Sequence, residues 1–186
     1  MFQSIIMLLS ASLVTFSPLG VDWGKKHVKY PDIESYQYYY GDIQWGQVIY
    51  YGKKDLVGLE SEIHLTFDAN KIVKAMLILG PAGLNDWNCI QKYKEVTKIL
   101  KHKYGNFSYI REIKDPDIED LLIDNACHAV SIGMHEIITY WNHKNFKIEM
   151  SLIAEDGDFY IEILYLDKNR ENKRKLKKDK KIIKHF

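Results

Sequence analysis

Alternation of apolar and polar positions is the clearest pattern along the chain. From Leu59 to Asp68, Ile63, Leu65 and Phe67 fall on one side while Glu62, His64, Thr66 and Asp68 fall on the other. That is the period-two pattern of a half-buried strand. Asp68-Ala69-Asn70-Lys71 reads as a tight turn, because Asn tolerates the left-handed conformation, and Ile72 to Leu79 pairs back. Gln44 to Tyr51 supplies a strand before this hairpin, and Gly80-Pro81-Ala82-Gly83 ends the segment. The same pattern returns late in the chain, over His135 to Trp141, Phe146 to Ala154 and Phe159 to Leu166. Asn142 to Asn145 and Glu155-Asp156-Gly157-Asp158 are the turns between them, and Asp-Gly is a strong hairpin signal.

Between these two groups the period changes. Ile90, Tyr93, Val96, Leu100 and Tyr104 fall on one helical stripe, which predicts a helix from Asn88 to Tyr104. Asn88 with Gln91 can cap its start, and Gly105 stops it. A short helix fits Lys25 to Tyr30, ended by Pro31. The expected fold is therefore α+β: an antiparallel sheet from two three-strand units, with one long helix (88–104) and a short N-terminal helix packed on it. Trp23 and Trp87 both stand at expected helix starts, a topological hint of duplication without a residue-level repeat. The stretch Asn106 to Ser131 has no clear period. Asp115, Asp117, Glu119, Asp120 and Asp124 make it acidic, and Leu121 to Ile123 fits a short turn.

Composition changes this picture at the two ends. The 186 residues carry a net charge of only +1. Residues 168–186, however, hold ten Lys or Arg against Glu171 and Asp179, so the tail is +8 and residues 1–167 are −7. Three domains of behaviour follow: 1–20, a leader or anchor; 21–167, a single α+β domain; and 168–186, a basic C-terminal tail. The first twenty residues have no charged side chain, and Ile5 to Leu9 with Leu13, Val14 and Phe16 form an apolar run diluted by Ser and Thr. That suits a secretory signal, and predicts an exported protein, periplasmic or extracellular. The rival is an uncleaved anchor, with Lys25, Lys26 and Lys29 following it; a buried N-terminal helix is the third reading. Cys89 and Cys127 are the two cysteines. In an exported protein they read as one disulfide, against two buried unpaired thiols.

Trp23-Gly24 with Val28, the Lys103-Tyr104-Gly105 helix end, and the hairpin from Ile63 to Leu77 carry a resemblance. Together they resemble a family of small exported bacterial α+β domains of unknown function that open with W-G-x-x-x-V. The resemblance covers residues 21–166. It implies a secreted or periplasmic domain, and supplies no catalytic residue to carry over.

Candidate chemistry is thin. The seven His residues show no metal-binding spacing. Cys127-His128 with His135 comes nearest, but neighbours in an extended chain point apart. The carboxylates near Asp115 lack the Gly and terminal Glu of a calcium loop, and no phosphate-binding loop follows Gly80 to Gly83. No cofactor and no metal are called for. The function expected is a non-enzymatic exported binding or interaction domain. The alternatives are a small Cys-dependent hydrolase with Cys127 as nucleophile and a His as base, and a peripheral membrane-surface protein acting through its tail. Tyr36, Tyr38, Tyr39 and Tyr40 form a Tyr-rich segment suited to a protein partner. Lys173, Arg174, Lys175, Lys177 and Lys178 mark the tail, which could meet an anionic membrane surface, bind nucleic acid, or stay solvated or folded on the acidic body. Nucleic acid is the less favoured partner, since no aromatic side chain interleaves these lysines for base stacking.

Overall fold

The computed structural model describes residues 19, 21–23, 25–33, 36–80, 82–115 and 126–169, with side chains at 53–56 left aside. Eight strands make one antiparallel sheet: β1 (Gln37–Asp42), β2 (Gln47–Leu56), β3 (Leu59–Asp68), β4 (Lys71–Leu79), β5 (Tyr109–Lys114), β6 (His135–Asn142), β7 (Phe146–Glu155) and β8 (Asp158–Asp167). Two helices accompany them, α1 (Cys89–Tyr104) and α2 (Ala126–Ser131). The chain is thus a sheet-rich α+β protein. Among the described residues no helix is long and apolar enough to cross a membrane.

The strand order is β1-β2-β3-β4-β8-β7-β6-β5. Each half of the chain is a four-strand meander, and the halves meet where β4 pairs antiparallel with β8, Lys74 opposite Leu166 and Leu79 opposite Ile161. The pattern along the sequence predicts three strands per half. The structure adds an outer strand to each, β1 and β5. Both lie at sheet edges and are exposed along most or all of their length, so neither shows the alternation that marks the inner strands.

Alternation decides which face is covered. Leu59, Ile63, Leu65 and Phe67 of β3 point to the same side as Leu77 and Leu79 of β4, Ile161 and Ile163 of β8, and Met150 of β7. All are buried. Each such aliphatic side chain contributes roughly 1.5–3 kcal/mol on leaving water. Helix α1 lays Cys89, Tyr93, Val96 and Leu100 on this face over the second half. The chain before β1 covers the first half, where Val21, Trp23 and Ile33 are buried and Tyr50 donates to the Pro31 carbonyl at 2.8 Å.

Two glycines permit close approaches. At Gly52 a Cβ would lie 2.4 Å from the Tyr36 ring, so the ring rests directly on the backbone of β2. Gly41 has φ +108°, and a Cβ there would meet the Gln47 carbonyl oxygen at 2.3 Å. It follows the irregularity between Tyr38 and Tyr40 that sends Tyr40 to the opposite face from Tyr38.

Candidate functional site

The sheet's other face carries no helix among the described residues. Strand register lines its residues into rows. One row runs across all eight strands: Tyr40, Ile49, His64, Met76, Leu164, Glu149, Tyr140 and Tyr109. A second row holds Tyr51, Glu62, Ile78, Glu162, Ser151, Ile138 and Arg111. Apolar and aromatic side chains alternate here with a few charges that are already held. His64 Nε2 lies 2.9 Å from Glu62, Tyr51 donates to Glu60 at 2.9 Å, and Arg111 pairs with Glu136 at 2.7 Å. Tyr109 stacks on Tyr140 with ring centres 4.4 Å apart. Lys147 sits 4.8 Å above the Tyr140 ring and pairs with Glu149 at 2.7 Å. Burial alone would lower the Lys147 pKa, but the Glu149 contact outweighs it and raises it. Intramolecular bonds thus orient several polar groups of this open face, where Tyr40 and Tyr109 stand exposed at the two edges while Ile138 and Tyr140 are buried.

The Tyr-rich segment divides between the two faces. Tyr36 is half-buried on the covered side and shares a 2.6 Å hydrogen bond with Ser61. Tyr38 donates to the Gly41 carbonyl at 2.7 Å and stacks on Tyr30 at 4.3 Å. Tyr38, Tyr39 and Tyr40 are all exposed, at 46%, 71% and 61%, and Trp45 in the β1–β2 turn is 77% exposed. Tyr40 and Tyr109 therefore close the two ends of one aromatic row, a relation that no local pattern discloses because it depends on strand order. The tail residues Lys173, Arg174, Lys175, Lys177 and Lys178 lie outside the described residues.

Cys89 and Cys127 are joined in a disulfide, Cα to Cα 5.9 Å, tying the first turn of α1 to α2. Such a bond is consistent with an oxidising, exported environment. Bonded sulfurs have no thiolate to attack a substrate, so Cys127 could serve as a nucleophile only after reduction.

A second feature is a groove on the covered face, between α1 and the strands β6 and β5, the latter at the sheet edge, with a volume of about 560 Å3. Ile90, Phe107, Ile110 and Ile137 line it, with Lys94, Lys98, Lys101 and Lys114 around them. Glu112 bonds both Lys114 (3.0 Å) and His135 (2.9 Å). Burial works to raise the Glu112 pKa, but these two partners hold it below the ordinary carboxylate value. Among the described residues no group of three or more His, Cys, Asp or Glu could hold a metal ion.

Comparison with family models, with curated proteins and with solved structures finds no match, and the functional reading rests on this geometry.

Proposed function

We propose that the chain is an exported, non-enzymatic binding domain that holds a protein partner on the open face of its sheet. The row from Tyr40 to Tyr109 carries the reading. Interfaces are enriched in Tyr, Met and Arg, and the row ends in two exposed tyrosines, Tyr40 and Tyr109. The disulfide and the W-G-x-x-x-V resemblance support the exported setting. Met76→Arg and Tyr40→Ala test it, since both change the face without touching the core. Partner capture from the extracytoplasmic fraction, scored against wild type, should fall by about tenfold or more for each, as for truncation of an interface anchor. Identical captured proteins and affinities for wild type and both variants would overturn the assignment.

A second reading rests on one end of the sheet. The β1–β2, β3–β4 and β6–β7 turns and the end of β8 lie together there. Lys25, Lys26, Lys29 and Lys144 are exposed at that end, with Lys71 and Lys168 partly so. His27 bonds the Asn70 carbonyl at 2.8 Å, which holds the N-terminal lysines against the β3–β4 turn. Trp45 and Val28 project from the same end, Val28 at 94% exposure. Asp86, Glu155, Asp156 and Asp158 lie at the opposite end, while Asp42, Asp68 and Asp167 share the lysine-bearing end and Asp22 pairs with Lys25. Aromatic tips among lysines suit an anionic lipid surface, and the +8 tail departs from this same end.

A further inference from the structure

The groove beside α1 is independent of the open face and has its own chemistry. Its volume of about 560 Å3 falls within the range of small-ligand pockets. Its floor is apolar, from Ile90, Phe107, Ile110 and Ile137. Lys94, Lys98 and Lys101 recur at helical spacing along one side of α1, and Lys114 faces them from β5. Glu112 is the one carboxylate among the described lining residues, and Lys114 and His135 already engage it.

His135 is a buried polar residue of the lining. Its side chain is only 3% exposed, and it lines the groove. Nε2 meets Glu112, while Nδ1 is buried and finds no hydrogen-bond partner among the described residues. We propose that the groove binds a small amphipathic carboxylate, its alkyl or aryl body on the apolar floor and its carboxylate among the lysines and near His135. Charge complementarity selects the anion. The floor selects the apolar body over a simple inorganic ion.

Calorimetric titration of the full chain with decanoate, decanol and decyltrimethylammonium tests this. Decanoate should bind one equivalent and more tightly than decanol, and the cation should not bind. The double variant Lys98→Gln, Lys101→Gln should weaken decanoate about tenfold, the worth of two partly exposed charge contacts, and leave decanol unchanged. Ile110→Glu, at an exposed floor position, should abolish decanoate binding with the native circular dichroism retained. The imidazole nitrogen resonances of His135 should move on decanoate addition. Equal affinity for decanoate and decanol, no binding of decanoate, or unmoved His135 resonances would overturn the proposal. So would at least tenfold tighter decanoate binding after Asp117, Glu119, Asp120 and Asp124 are changed to their amides, because the chain's own acidic segment would then be the occupant.

Discussion

Tyr93 shows how a single side chain joins helix to sheet. Its hydroxyl donates to the Met150 carbonyl at 2.8 Å and lies 2.9 Å from the Thr139 hydroxyl. Burial pushes its pKa up to about 12, and burial does the same for Tyr104. In the unfolded chain both phenols ionise near 10. Between about pH 10 and 12 the unfolded state has thus lost protons that the native state keeps, and stability must fall as pH rises through that window. It is fully present below pH 10. Urea unfolding at stepped alkaline pH, followed with tyrosinate absorbance, should show this loss. Tyr93→Phe should make the alkaline decline shallower. At neutral pH it should cost about 1–3 kcal/mol, because the Met150 carbonyl and Thr139 hydroxyl lose a buried partner. An unchanged urea midpoint at neutral pH would show that the bond carries no net stability.

Among the elements, α1 depends on more than its apolar stripe. The disulfide from Cys89 fastens its first turn, and Gly105 follows its last, where the carbonyl accepts from Trp141 Nε1 at 3.0 Å. With the two cysteines 38 positions apart, opening the loop should cost about 3–4 kcal/mol in the chain-entropy account. Denaturant melts of the oxidised chain and of Cys89→Ser, Cys127→Ser should differ by that amount. The helix and the inner strands were legible because their buried positions recur at fixed intervals, as in Ile63, Leu65 and Phe67. The edge strands were not. In β5 the sequence Tyr-Ile-Arg-Glu-Ile-Lys places apolar and charged residues on both faces, and all six are exposed, so no period forms. Nor does sequence show which strands meet. The aromatic row exists only because β4 joins β8, and the groove exists only because β5 returns beside α1. The sequence groups Tyr36, Tyr38, Tyr39 and Tyr40 as one segment, whereas Tyr36, lying on Gly52, is set apart only by three-dimensional contact.

At the scale of the whole molecule, exposed lysines, Trp45 and the exit toward the +8 tail share one end of the sheet, where Asp42, Asp68 and Asp167 also stand and Lys25 pairs with Asp22 at 3.3 Å. Under the lipid reading, these lysines and the tail would meet an anionic bilayer together. Co-sedimentation with vesicles containing phosphatidylglycerol should therefore be strong for the full chain at low salt. It should weaken steeply as ionic strength rises, since exposed charges are screened beyond about 8 Å at physiological salt. A chain ending at Asp167 should bind more weakly, and Trp45→Ala should weaken it further. Equal, salt-insensitive binding by all three would remove the lipid reading.

The junction of β4 and β8 has a consequence for the order of synthesis. The strand translated last occupies the middle of the sheet, with Lys74 waiting for Leu166. Until that residue emerges, the first meander has a strongly apolar strand, Ile72 to Leu79, paired on one side with β3 and open on the other. Contacts that close over such long separations form slowly, and uncovered strand edges invite association with other chains. The nascent polypeptide thus has a long interval in which it is unfinished but threadable. Residues 158–167 are therefore the segment whose loss leaves both halves without their shared partner strand.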